Sequence, residues 1–168
     1  WVAEGYVGEA EPPRLLVDRT LGKLARWLRV LGYDTVYAPE GDAQVAHRAR
    51  AEGRVVLTRR LTLASRSGLR TLAVVSQAPL EQLTEVVGRV GLLESGTPPR
   101  CMVCNTVLEP LSRAAAQDRV PPYVAAHHEV YHHCSGCGRI YWQGTHWHAI
   151  RRQVAEALTT LTNQPDQI

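Results

Sequence analysis

The chain has 168 residues, 45% of them hydrophobic, which is enough to bury a core as one domain with a satellite or as two small ones. No apolar run reaches the roughly 18 to 20 residues of a membrane span, and the opening WVAEGYVGEAEPPR has neither the basic nor the apolar region of a signal peptide. Membrane partners are therefore not expected, and the expected location is cytoplasmic. The net charge of +3 conceals an uneven spread: residues 1–13 carry three acids and no base, residues 14–100 carry 14 bases against 8 acids, and residues 101–168 carry five of each. The basic middle segment suits an anionic partner such as nucleic acid, and equally an ordinary arginine-rich surface.

Trp1 in place of an initiator methionine points to a processed chain or a piece of a longer one, and residues 1–13, closing on Pro12 and Pro13, read as a linker or the tail of an upstream segment. From Leu15 to Gly91 short apolar runs alternate with helical patterns. The runs are LLV at 15–17, TVYA at 35–38, VVLT at 55–58 and TLAVV at 71–75; the helices fall at 20–31, 42–52, 59–67 and 79–90. Strands separated by helices in this way predict an α/β domain over 14–95, with a mostly parallel sheet and helices on both faces. Gly32, Gly53, Gly68 and Gly91 each stand just past a helical pattern, where a left-handed residue ends a helix cheaply. In the first helix Leu21, Leu24, Ala25, Leu28 and Leu31 share the face turned to the sheet, leaving Lys23, Arg26 and Arg29 on other faces.

Gly96, Pro98 and Pro99 form a second linker, after which a smaller unit covers 100–148 and an amphipathic helix and tail cover 149–168. The small unit holds all four cysteines, as CMVC at 101–104 and CSGCG at 134–138, with 29 residues between the pairs. Two such knuckles present four thiolates to one Zn²⁺ at about 2.3 Å, so Cys101, Cys104, Cys134 and Cys137 are the expected ligands of a structural zinc. Two disulfides are the rival reading, weakened by the missing secretion signal. His127, His128, His132 and His133 crowd the second knuckle, either as further ligands or as an ordinary loop or strand. Tyr141, Trp142 and Trp147 suit base stacking or, more simply, the packing of a little core.

Asp18 follows the first apolar run directly and precedes a helix start. Two readings stand open for it: a helix cap, and a ligand at the carboxyl end of a strand, where open α/β sheets keep their binding crevice. Taken together, LLVDRTLGKLARWLRVLGYDT, EGRVVLT, RCMVCN, DRVPPYV and CSGCGRIYWQGTHW, in this order, closely resemble the PIN-like ribonuclease family named for the C-terminal domain of the mutator-seven exonuclease, over roughly residues 14–150. The resemblance implies a PIN-like α/β domain followed by a zinc ribbon, acting on RNA through acids that hold Mg²⁺ or Mn²⁺ at the strand ends. On that footing Asp18 matches the first family acid and Asp42 the acidic opening of the second helix.

Departures accompany the likeness. Ala43 and Gln44 stand where relatives continue the acidic run, and Thr58-Arg59-Arg60 stands where they read Thr-Arg-Asp, so one acid is missing; Glu40 is the expected third ligand in compensation. A cation beside the acids weakens a divalent site. Lys23, Arg26, Arg59 and Arg60 are expected to engage phosphates. The expectation is a metal-dependent endoribonuclease with an incomplete acidic cluster. Its alternative is a catalytically inactive module that binds RNA or a ribonucleoprotein.

Overall fold

A computed structural model describes residues 11–94, 96–142, 149, 152–156 and 159. Four parallel strands, β1 (Leu15–Asp18), β2 (Thr35–Ala38), β3 (Val55–Thr58) and β4 (Thr71–Ala73), form a sheet in the order β2-β1-β3-β4. Between them run α1 (Gly22–Leu31), α2 (Asp42–Glu52) and α3 (Leu61–Ala64), and α4 (Pro79–Val90) follows. Because β1 pairs on both edges, its LLV run is buried on both faces, as a central parallel strand requires. Leu15 and Val17 point to one side, packing with Val55 and Leu57 against Leu24 and Leu28 of α1 and Leu83 and Val87 of α4. Leu16 and Val56 point to the other, against Val45 and Ala49 of α2 and Leu63 of α3. This is the α/β domain with helices on both faces that the alternation of runs implies.

The element boundaries differ from the expected ones where side chains compete for backbone groups. A 3-10 turn over Arg19–Leu21 precedes α1, because the Asp18 carboxylate takes the Thr20 amide. The third helix shrinks from the expected 59–67 to one turn. At its start the Arg60 amide donates to the Thr58 hydroxyl at 3.0 Å, and at its end the Ser65 hydroxyl donates to the Leu61 carbonyl at 2.8 Å, beside the Ser65 amide. The fourth strand stops at Ala73, not Val75, as Glu85 reaches across to accept from the Val75 and Ser76 amides. α1 ends on Gly32 at φ 106°, where an added Cβ would come within 2.7 Å of the Thr97 side chain, so glycine is required twice over.

The second unit is a three-stranded antiparallel sheet, β5 (Glu109–Leu111), β6 (Tyr131–His133) and β7 (Ile140–Trp142), in that order, with β7 on an edge. Two short helices, α5 (Arg113–Ala116) and α6 (Pro122–His127), close a small core of Ala116, Val120, Val124 and Tyr131. Val154, in the helical residues 152–156, is fully buried with the α1 and α4 face of the first unit. Trp147 and most of the tail lie outside the described residues. Among the described residues no helix is long and apolar enough to cross a membrane.

The two units are clamped at two points. Arg29, buried on α1, donates from Nε to the Thr35 carbonyl (2.8 Å) and from Nη1 to the Met102 and Val103 carbonyls (2.7 and 3.3 Å). Asn105, the one non-glycine residue at positive φ (68°) among those described, accepts from the Thr35 amide at 3.0 Å and donates to Asp34 at 2.7 Å. Asn tolerates the left-handed region better than most residues.

Asp34 also receives Arg54, whose side chain is 4% exposed, at 2.8 Å, and Arg14 at 3.2 Å. Burial raises the Asp34 carboxyl, but these donors outweigh it and hold the group down to about 2, against an ordinary 3.8. A carboxyl depressed in the folded state stabilises the fold above its unfolded value, and that stability is lost as pH falls through the folded value. The melting temperature should therefore drop steeply as pH is lowered from 3.8 toward about 2, and the Asp34→Asn variant should show a shallower fall over this window. Parallel melting curves for the two proteins would remove the clamp's role in acid stability.

Candidate functional site at the carboxyl edge of the sheet

Strand order reverses at β1: the crossover from β1 leads to β2 on one side, and the crossover from β2 returns past β1 to β3 on the other, so a crevice opens beyond the carboxyl ends of these strands. Asp18 and Thr58 close β1 and β3 side by side there, and both are fully buried. One Asp18 oxygen accepts the Thr20 amide at 2.9 Å and the Thr20 hydroxyl at 2.5 Å; the other accepts the Thr58 hydroxyl at 2.5 Å and Arg60 Nε at 3.0 Å. Burial pushes this carboxyl up, yet the Thr20 and Thr58 hydroxyls, the Thr20 amide and Arg60 together hold it below its ordinary value. Asp18 thus caps the turn into α1 and also belongs to a charged cluster.

Arg60 extends that cluster. Its Nη1 forms an ion pair with Asp42 at the start of α2, and Asp42 also accepts from the Thr62 hydroxyl at 3.2 Å. The two acids are therefore brought to the same edge, with one guanidinium spanning the space between them. Glu40 lies elsewhere: it is exposed, and its closest ionic neighbour is Arg48 at 3.9 Å. Arg59, also exposed, donates to Gln77 at 2.7 Å, and Lys23 and Arg26 project from α1 on the side facing the small unit. Among the described residues the only grouping of three or more cysteine, histidine or acidic ligand atoms is the set of four cysteines.

That set is compact. The sulfurs of Cys101, Cys104, Cys134 and Cys137 all lie within 4.8 Å of one another, with Cys104 to Cys134 at 3.3 Å and Cys101 to Cys137 at 3.6 Å, and none is in a disulfide. A tetrahedron with arms of about 2.3 Å has edges of about 3.8 Å, so the four thiols are positioned to hold one metal ion. The Tyr141 hydroxyl is 3.0 Å from the Cys101 sulfur and the Thr106 hydroxyl 3.3 Å from that of Cys104; the latter contact, with the Thr106 amide, pulls the Cys104 thiol below its ordinary value. Gly138, at φ 73°, turns the chain so that its amide reaches the Cys134 carbonyl at 2.8 Å, closing the second knuckle.

Several of these partners escaped the sequence reading. Thr20 and Thr58 look like a helix start and a β-branched strand end, and only the position of Thr58 immediately before the arginine pair hinted at more. The helical pattern puts Arg29 off the sheet face of α1 and says nothing of its carbonyl acceptors on the first knuckle, which lie 73 and 74 residues away.

Fold and site together define an α/β domain with two acids at its carboxyl-edge crevice, joined to a small unit whose four cysteines are positioned to hold a metal ion. The sequence model of the Mut7-C RNAse domain matches residues 13–154, and the chain belongs to that family. No curated protein and no solved structure matches it.

Proposed function

We propose that this chain is an RNA-binding member of its ribonuclease family that does not cut RNA, with a structural zinc on its four cysteines and the cytoplasm as its setting. The observation that carries the reading is the guanidinium of Arg60 between Asp18 and Asp42. Hydrolysis in this class of site needs a divalent ion held by several carboxylate oxygens. Here two acids are already neutralised by a side chain, and the position that would bring a third carries that side chain. A divalent ion about 4 Å from a guanidinium would meet a repulsion on the order of 8 kcal/mol at an effective dielectric of about 20. The residues present therefore do not fit Mg²⁺ or Mn²⁺. The cysteines do fit zinc, in number, softness and spacing.

RNA binding is supported by the family match and by the net positive charge of residues 14–100. In a titration series over structured and unstructured RNAs, affinity should fall steeply with salt and depend little on sequence, and incubation with Mn²⁺ should leave the RNAs intact. Metal-stimulated cleavage that disappears in Asp18→Asn would overturn the non-cutting reading. It would favour the second one, a ribonuclease using Asp18, Asp42 and Glu40. One observation speaks for that alternative: Asp18 is held ionised at the switch point, which is what a metal ligand requires, although Arg60 would have to swing away first.

A further inference from the structure

We infer that the groove between α1 and the four-cysteine ribbon takes a single strand of RNA, its bases stacking on Tyr37 and Trp142 and its phosphates met by Lys23, Arg26 and Arg139. This rests on the RNA-binding reading above and adds the place and the form of the nucleic acid.

The groove measures about 1220 Å³, above the roughly 300–1,000 Å³ of a small-molecule site, and it is open at the surface, as a polymer track must be. One wall is α1 with Tyr37 of β2, and the other is the first knuckle with the edge strand β7. Among the described residues no carboxylate lines it. Lys23 and Arg26 stand almost one turn apart on the first wall and Arg139 stands on the second, so cations face the groove from both sides.

These cations are also free. Most arginines of the molecule are tied to a carboxylate or a carbonyl: Arg14, Arg54 and Arg60 by ion pairs, Arg50, Arg70 and Arg100 by backbone oxygens. Lys23, Arg26 and Arg139 have no ion pair or side-chain hydrogen bond among the described residues, and the others in that condition, Arg19, Arg66 and Arg119, do not line the groove. Arg29 lines it too, but its guanidinium is committed to three carbonyls.

The aromatic faces point to a single strand. Tyr37 is 38% and Trp142 is 37% exposed, one on each wall. The Tyr37 ring packs against Gly22, whose missing Cβ would sit 3.3 Å from it, so the ring rests on the first turn of α1. Tyr141 is held by its hydroxyl at the Cys101 sulfur and belongs to the ribbon. A duplex keeps its base faces stacked on one another, whereas a single strand offers them to aromatic side chains while its phosphates follow a basic track. The groove begins at the first turn of α1, four residues after Asp18, so a strand lying in it would run up to the carboxyl-edge crevice.

The test uses the zinc-loaded full chain and a fluorescent oligouridine of about a dozen nucleotides. Lys23→Ala/Arg26→Ala/Arg139→Ala should weaken binding at least about tenfold and flatten the slope of log affinity against log salt by about 2, at about 0.7 per lost phosphate contact. Trp142→Ala and Tyr37→Ala should each cost about fivefold or more, and Trp142→Phe should restore most of the loss, since one stacked base contributes about 1 kcal/mol or more. Arg66→Ala/Arg119→Ala should change little.

If the groove variants bind like wild type while Arg66→Ala/Arg119→Ala loses affinity, the groove assignment is wrong and the RNA-binding reading survives. If wild type binds no RNA, both fall. An RNA duplex bound as tightly as the single strand, or polyglutamate displacing the oligonucleotide charge for charge, would overturn the single-strand assignment, the latter in favour of an acidic peptide. Loss of zinc from the triple variant with unchanged RNA affinity would show instead that these cations serve only to balance the thiolates.

Discussion

Arg60→Asp is expected to turn the carboxyl-edge crevice into a divalent-metal site and to bring RNA cleavage with it. The substitution removes the guanidinium that spans Asp18 and Asp42 and supplies an acid on the same short segment, between Thr58 and the start of α3. Without metal, three carboxylates converge where two were neutralised, so the variant should melt below wild type; removing one partner of a buried ion pair costs about 3 to 5 kcal/mol when burial is complete, and less here because Arg60 is partly exposed. Adding Mn²⁺ should restore the melting temperature of the variant and leave that of wild type unchanged, since a ligand that binds only the folded state stabilises it by an amount that grows with the logarithm of its concentration above the dissociation constant. RNA cleavage by the variant with Mn²⁺ should stand at least about 10²-fold above the uncatalysed background at which wild type remains, since one electrostatic group alters a hydrolytic rate by about 10²- to 10³-fold. Arg60→Ala separates the two effects, because it vacates the space without adding an acid and should give at most weak Mn²⁺ binding. The proposal would be sunk by an Arg60→Asp protein whose melting ignores Mn²⁺, or by a wild type that already binds the ion as well.

The parts of this site that could be read from the sequence are those fixed by backbone topology. LLVD places its acid at the carboxyl end of a strand buried on both faces, and alternation of runs and helices brings the start of the second helix to the same edge. The replacement of an acid by Arg60 was equally visible. What Arg60 does was not, since its side chain could turn outward to a phosphate or inward to the acids. That choice is made by Thr58, whose hydroxyl donates to Asp18 while accepting the Arg60 amide, so the residues after β3 fold back over the strand end.

The same division holds for the ribbon. C-x-x-C spacing announces four converging thiols because the knuckle is a local structure, but the clamp to the first unit depends on Arg29 and Asn105, whose partners lie about 70 residues away in the chain. The boundaries that moved, at the third helix and the fourth strand, lie beside side chains that bond to the backbone: Thr58 and Ser65 at the two ends of the short helix, and Glu85 on the amides that would have continued the strand. Periodicity describes where apolar faces lie; it does not see a side chain competing for one amide.

Removing zinc should unfold the ribbon and loosen the first unit with it. The ribbon's own core comprises a few side chains around Tyr131 and a second cluster built on Cys101, Leu108 and Cys134 themselves, so two of its fully buried groups are the expected ligands. Structural zinc in small domains contributes about 10 to 16 kcal/mol of apparent binding free energy, far more than a core of this size supplies. One zinc per chain is therefore expected by elemental analysis, with four titratable thiols appearing on chelation and no mass change corresponding to disulfides. Once the first knuckle disorders, the Met102 and Val103 carbonyls leave the buried Arg29, and Asn105 leaves Thr35 and Asp34. An unsatisfied buried donor costs about 1 to 3 kcal/mol and more when charged, so the α/β unit should remain folded after chelation but melt at a lower temperature. Cys101→Ser should reproduce both effects at the gene level, whereas Arg29→Leu should lower the stability of the first unit while the ribbon keeps its zinc. A zinc-free protein with unchanged melting, or two disulfides found by mass, would show that the four cysteines are not a structural metal site and that the ribbon is held by its side-chain packing alone.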